Sequence, residues 1–188
     1  VLGYDIRASV LENLKSLGIK PGNSPKDVAD NSEVVVTCLP TIESLHEVYS
    51  GTQGLNKSSL PNQIIVETST FPVTEKEKAR DAVAVVDKRM LDCPVSGNRM
   101  FAEQKKLTAF ASGNEADYNE IRDVIGGFAS RQFYVGDFGC GMKMKFCGNI
   151  LNLVHNAVAA EVMVLGMKSG LEPELIHEVI SGSGSSSS

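Results

Sequence analysis

No block of basic residues interrupts this chain. Its 18 Lys and Arg are mixed with 23 Asp and Glu for a net charge of −5, so the electrostatic footprint of a nucleic-acid partner is missing. No apolar stretch reads as long and uninterrupted enough to span a bilayer, and no membrane partner is expected. No Cys-x-x-Cys pair occurs among Cys38, Cys93, Cys140 and Cys147, and no cysteine sits near a histidine at zinc-like spacing. No metal is therefore expected, and the four thiols read as free, buried groups of a reducing compartment. His46, His155 and His177 form neither a His-x-x-x-His pair nor a recognisable Ser–His–Asp arrangement. No signal or transit segment is visible, although the chain opens abruptly on the strand-like Val1-Leu2-Gly3-Tyr4; a leader already removed would leave such a start.

What is present points to an α/β protein. With 188 residues, 42% of them hydrophobic, the chain can bury the core of one ordinary domain, or of one domain and part of another. Residues 1–6 read as a short strand and 8–17 as a helix, with Val10, Leu11 and Leu14 at helical spacing before Gly18. Ser24-Pro25 has the cap-then-proline signature of a helix start. Residues 33–39 contain the β-branched run Val34-Val35-Val36, expected as a strand buried on both faces. A helix over 41–49, a buried strand over 64–68 and a charged helix from about residue 73 follow. Strands over 88–92, 107–112 and 132–135 flank a helix over 114–128, whose acidic first turn suits a helix N-terminus. Such alternation implies a mostly parallel sheet.

After Gly136 the pattern changes. Residues 141–169 contain no proline, and Phe146, Ile150, Val154, Val158, Val162 and Leu165 form an apolar stripe at helical spacing. At ~1.5 Å per residue this helix is about 40 Å long, which suits a connector into a second, all-helical unit. Gly170 stops it and Pro173-Glu174 opens another helix. The boundary is placed so that residues 1–138 form one domain and 139–188 begin the next. The Ser/Gly tail over 181–188 reads as flexible linker or a cloning artefact.

Two runs carry the chemistry. Asp92-Cys93-Pro94-Val95-Ser96-Gly97 reads as a strand entering a turn that exposes a small hydroxyl and backbone amides. Gly139-Cys140-Gly141-Met142-Lys143-Met144-Lys145-Phe146-Cys147-Gly148-Asn149 reads as a glycine loop entering the long helix. Lys145 and Asn149 lie four positions apart on one helix face. A serine turn facing a Lys–Asn pair suits a small anionic substrate with a reactive hydroxyl or carbonyl. Lys145 near a helix start is electrostatically disfavoured unless it has a task, the alternative being a solvated lysine. Asp5, Leu39-Pro40 and Ser69-Thr70 each follow a strand, where open α/β sheets bind ligands. Asp5 is placed like an acid that bonds a ribose hydroxyl, or else is a solvated turn residue. No Gly-x-Gly-x-x-Gly precedes it, so the chain reads as beginning inside its nucleotide-binding unit.

Together these residues resemble the β-hydroxyacid dehydrogenase family of 3-hydroxyisobutyrate dehydrogenase and its relatives, over nearly the whole chain. The resemblance implies a Rossmann-like domain lacking its first strand and glycine loop, a long connector helix, and an all-α second domain that is mostly missing. It implies hydride transfer between NAD and a small 3-hydroxy acid such as 3-hydroxyisobutyrate. By resemblance Lys145 is the catalytic acid/base, Ser96, Gly97, Asn98 and Asn149 bind substrate, and Asp5, Leu39, Pro40 and Thr70 contact the cofactor. Asp5 favours NAD by repelling a 2′-phosphate, and Arg7 softens that preference toward NADP. The implied partners are a small carboxylate substrate and, in the full-length protein, further copies of itself; the implied compartment is the cytoplasm, with the mitochondrial matrix as alternative. Alternatives in function are a sibling reductase for tartronate semialdehyde, succinic semialdehyde or 6-phosphogluconate, or a non-catalytic ligand-binding relative. A phosphorylated substrate would draw on Arg99 and Lys105. Three positions depart from the family pattern: Asn98, Lys105 and Gly148 stand where Gly, Gly and Asn are usual. Asn98 is expected to take the left-handed backbone that glycine would supply.

Overall fold

The computed structural model describes residues 1–183. Its elements run β1 (Leu2–Gly3), α1 (Ala8–Lys15), β2 (Lys20–Pro21), α2 (Pro25–Asp30), β3 (Val34–Thr37), α3 (Ile42–Ser50), a 3-10 turn (Leu55–Lys57), β4 (Ile64–Glu67), α4 (Val73–Ala84), β5 (Arg89–Asp92), β6 (Val95–Ser96), α5 (Arg99–Glu103), β7 (Leu107–Ala111), α6 (Glu115–Glu120), α7 (Arg122–Gly126), β8 (Ala129–Tyr134), α8 (Cys140–Lys168) and α9 (Pro173–Ser181). The strands form parallel β1-β2, parallel β3-β4-β5, and β6-β7-β8, in which only β6 runs antiparallel. An isolated bridge between Asp92 and Ser112 joins the second group to the third. The chain divides into two units, Val1–Lys145 and the segment from Phe146 onward.

The two-residue period of a strand splits the first unit's core in two. Ile64, Val66 and Leu91 point into a cluster with Leu107, Ala109, Tyr118 and Ile125. Ile65 and Met90 point the other way, toward Val35, Leu45, Tyr49, Ala79 and Val83. Strand β4 is therefore buried throughout, each large apolar side chain contributing ~1.5–3 kcal/mol. The helix start expected at Ser24-Pro25 forms, and a second cap joins it. Ser24 Oγ accepts from Asp27 N at 3.0 Å, and Thr41 and Ser44 form a reciprocal capping box.

Several expectations need correction. Val36 is 45% exposed, because the cluster covering Ile64 and Val66 reaches only Val34 at its margin. The helix over 114–128 is two helices, parted at the β-branched Ile121, whose φ of −114° and ψ of 15° leave the helical region. Of the four thiols only Cys93 is buried; Cys38 and Cys147 are exposed and Cys140 is intermediate, although all are free. Helix α8, with 29 residues, is by length and composition able to cross a membrane. Asn149, Asn152 and Asn156 lie within it and do not break the helix. In the second unit Ile176 of α9 packs against Gly166 of α8, where a Cβ would lie 2.4 Å from Ile176 Cδ1. Ser181 ends α9 rather than opening a linker, and residues 184–188 of the expected tail lie outside the described residues.

The turn after β6 also differs. Gly97 takes the positive φ, +129°, and Asn98 instead caps α5 from an extended backbone, its side chain accepting from Phe101 N at 3.1 Å. The left-handed position falls on Lys105, with φ 56°. A side chain there costs ~1–2 kcal/mol, partly offset by the greater chain entropy glycine must lose. Lys105→Gly is expected to stabilise the fold by about 0.5–1 kcal/mol, read as a melting temperature higher by roughly 1–4 °C. An unchanged or lower value would show that the turn tolerates lysine without strain.

Candidate active site

The registers of β3, β4 and β5 set Thr37, Glu67 and Asp92 side by side as the last residues of their strands. All three are buried. From this polar row leave the loops carrying Leu39-Pro40, Ser69-Thr70 and Cys93-Pro94, at the carboxyl ends where an open α/β sheet offers its crevice. The loops are tied to one another. Thr68 Oγ1 donates to Thr37 O at 2.7 Å, Leu39 N donates to Ser69 Oγ at 2.7 Å, and Ser69 N donates to Glu67 Oε1 at 2.9 Å. Pro40 and Thr70 are exposed above these ties and Leu39 is half-buried.

Beneath the loops lies a charged cluster that sequence reasoning missed. Lys76 Nζ donates to Asp92 Oδ1 at 2.7 Å and lies 2.6 Å from Glu67 Oε2, close but off the hydrogen-bonding direction. The side chains of Lys76, Glu67 and Asp92 are all 0% exposed. Burial pushes the Glu67 carboxyl up, against the opposing pull of Lys76. The signal was in α4: Lys76, Ala79 and Val83 are its buried residues, at the spacing of a core-facing stripe. A lysine on that stripe needs a buried partner.

Asp92 also holds the start of α8. Its Oδ2 accepts from Met142 N at 2.9 Å and from Ser112 Oγ at 3.0 Å, and Ser112 Oγ accepts from Gly141 N at 2.9 Å. One carboxylate thus fixes the strand end four residues before Ser96 and the helix turn three residues before Lys145. Lys145 is half-buried and has no hydrogen bond or ion pair among the described residues. Desolvation draws its pKa below the usual lysine value. Asn149, one turn later on α8, is also half-buried. Ser96 is half-buried in β6, paired with Thr108, and Gly97 and Asn98 are exposed after it.

Leu39, Pro40, Thr70, the start of the Ser96 turn and the root of Lys145's helix are therefore gathered at one end of the β3-β4-β5 sheet. Asp5 is not bonded to that group. It follows β1 and bonds only Arg7 among the described residues, with Arg7 Nε at 3.1 Å and Arg7 N at 2.8 Å from Oδ1. Arg7 holds its carboxyl below the usual range. Cys93, inside the motif, is no nucleophile: burial pushes its thiol up to about 12. The residues present fit a dinucleotide where exposed loops leave adjacent parallel strands and an acid follows β1.

These features define a dinucleotide-binding α/β unit running into a helical segment. Residues 1–136 match the family described as the NAD binding domain of 6-phosphogluconate dehydrogenase, and residues 139–188 match the NAD-binding family of NADP-dependent 3-hydroxyisobutyrate dehydrogenase. The chain belongs to the β-hydroxyacid dehydrogenase family. It is 32% identical to the mitochondrial 3-hydroxyisobutyrate dehydrogenase of Rattus norvegicus over 94% of this chain and 53% of that protein. It is 30% identical to the L-threonate dehydrogenase of Cupriavidus necator over 97% of this chain and 62% of that protein. The Mycobacterium tuberculosis 3-hydroxyisobutyrate dehydrogenase, solved with L-serine, superposes with a TM-score of 0.88 at 28% identity, covering 100% of this chain and 63% of that one. The chain spans about half the length of the curated 3-hydroxyisobutyrate dehydrogenases it matches.

Proposed function

We propose that the full-length protein is an NAD(P)-dependent dehydrogenase of a small 3-hydroxy acid, with Lys145 as its acid/base. The observation that carries this reading is Lys145 itself: half-buried, without a partner among the described residues, desolvated, and rooted through Met142 on the carboxylate that begins the Ser96 turn. The relatives' names support the substrate class. 3-Hydroxyisobutyrate, L-threonate and L-serine share a carboxylate with a hydroxyl on the third carbon. Bound NAD(P) supplies hydride uptake from the carbinol carbon.

The chain's own residues do the rest. Ser96, Gly97 and the Asn98 amide hold the substrate carboxylate, and Asn149 orients its hydroxyl end. Neutral Lys145 takes the hydroxyl proton as the C–H bond breaks; in reverse its ammonium returns that proton to the carbonyl oxygen. Leu39, Pro40 and Thr70 contact the cofactor. The Asp5–Arg7 pair offers a carboxylate for a ribose hydroxyl and a guanidinium for a 2′-phosphate. Of the two cations a phosphorylated substrate would draw on, Arg99 and Lys105, the first is paired with Glu103 at 2.9 Å. The protein assembles with copies of itself, a reading supported by the exposed apolar residues Ile150, Leu153 and Leu165 along α8. The compartment proposed is the cytoplasm or the mitochondrial matrix; the names of the 3-hydroxyisobutyrate dehydrogenases it resembles, which place those proteins in mitochondria, support the second.

The test is cofactor reduction by full-length protein with a panel of 3-hydroxy acids. Reduction with at least one is expected; none, under conditions where NAD binds, would establish the non-catalytic reading. A pH profile tests the lysine. Oxidation needs the neutral amine, so kcat/KM rises with pH up to the Lys145 pKa, which desolvation places below 10.5. Carbonyl reduction needs the ammonium and falls through the same pKa. Profiles flat across that range in both directions would remove Lys145 from the proton path.

A further inference from the structure

In the buried cluster under the crevice two carboxyl groups share one cation, and backbone amides, those at the start of α8 among them, complete their partners. Glu67 and Asp92 flank one cation, Lys76, and none of the three side chains is exposed. Burying such groups is costly, and a fold that needed only stability could fill the space with apolar side chains. The excess negative charge meets the first-turn amides of α8, directly at Met142 N and through Ser112 Oγ at Gly141 N. Helix N-termini favour such a neighbour. Asp92 Oδ1 is fixed by Lys76, so its Oδ2 is aimed at those amides. A continuous series of contacts runs from Leu39 N through Ser69, Glu67, Lys76, Asp92 and Ser112 to the helix that bears Lys145.

We propose that Lys76 is a positioning residue: by clamping Asp92 between the end of β5 and the first turn of α8, it sets where Lys145 stands relative to the Ser96 turn. The proposal rests on the assignment of Lys145 as acid/base. Lys76 touches neither substrate nor cofactor; it acts through Asp92. Its removal therefore acts first on the chemical step, and on cofactor binding only as far as the tie from Glu67 to Ser69 is disturbed.

The experiment is a double-mutant cycle in the full-length enzyme. The paired substitution Lys76→Met with Glu67→Gln removes one cation and one anion, so the buried net charge is unchanged while the clamp on Asp92 Oδ1 is lost. Expected is a kcat, measured at saturating cofactor, at least tenfold lower, with the KM for the hydroxy acid within twofold of wild type. In a Lys145→Ala background the same pair is expected to cost less than twofold, because there is no longer a lysine to misplace. A folded variant with kcat within twofold of wild type overturns the proposal. So does a loss confined to KM or NAD affinity, or a tenfold loss repeated in the Lys145→Ala background. Should the pair fail to fold, Lys76→Leu with Glu67→Gln removes the same clamp on Asp92 with a differently shaped apolar side chain: a kcat at least threefold lower, absent from the Lys145→Ala background, supports the proposal, and wild-type kcat overturns it. Wild-type turnover in Lys145→Ala alone would sink the catalytic assignment and this proposal together, whereas a dead Lys145→Ala beside a fully active Lys76 pair sinks only the positioning role.

Discussion

Lys145→Ala is expected to lower kcat by ~10²–10⁴-fold, the usual worth of a positioned acid/base, while leaving NAD affinity unchanged. The second half of that expectation separates chemistry from folding. The loops at Leu39 and Thr70, proposed above to contact the cofactor, rise from β3 and β4, and their ties to Ser69 and Glu67 do not involve α8. Lys145 has no hydrogen bond or ion pair among the described residues to lose, so truncation leaves no orphaned buried charge. Lys145→Arg sharpens the result. A guanidinium keeps the positive charge but cannot give up its proton near neutral pH. If Lys145 moves a proton, arginine does not restore alcohol oxidation; if it only attracts the substrate carboxylate, arginine restores much of it. Steady-state rates in both directions and a cofactor titration read all of this. Turnover of the alanine variant within tenfold of wild type would remove the acid/base role.

The sequence displayed its elements wherever one local signal dominated. Ile64-Ile65-Val66 could only be a strand covered on both faces, and Ser24-Pro25 could only open a helix. It misled where the outcome depends on a distant neighbour. Val34-Val35-Val36 carries the same signal as β4, yet Val36 is exposed because the cover over that face stops at Val34. At the turn after β6, the identity of Asn98 suggested a left-handed backbone, but Gly97 already reverses the chain, and Asn98 is freed to cap α5. Ser96 and Lys145 stood out as candidates because their residue types and spacing are chemical in themselves. Lys76 did not, since it stands in a run of charges, Glu75 to Lys78, that reads as solvated. Only its phase with Ala79 and Val83 marks it as buried, and only the strand registers reveal that Glu67 and Asp92 stand next to each other beneath it. The Asp92 of the motif had likewise no assigned task until α8 was seen to start on its carboxylate.

Gly141→Ala is expected to damage the enzyme more than its single methyl suggests. A Cβ at residue 141 would stand 2.4 Å from Phe110 O, 2.9 Å from Pro94 Cδ and 3.0 Å from Asp92 O. Two of these are backbone carbonyls at the ends of β7 and β5, and the third belongs to a proline ring, so none can rotate aside. The first turn of α8 must move outward instead, breaking the bonds from Gly141 N to Ser112 and from Met142 N to Asp92. Overpacking of this kind costs ~1–3 kcal/mol and the lost buried hydrogen bonds add ~1–3 more. For a domain of this size the melting temperature should fall by roughly 5–20 °C. A shift of about 1 Å in a catalytic group can cost ~10²-fold in rate, so the folded fraction should also turn over far more slowly while binding NAD normally. Gly148→Ala is the internal control. It lies on the same helix, a Cβ there meets nothing within 4 Å, and replacing a mid-helix glycine should stabilise by about 0.5–1 kcal/mol. If both substitutions leave thermal stability and kcat alike, the close seating of α8 on the Asp92–Ser112 bridge is not what holds Lys145 in place.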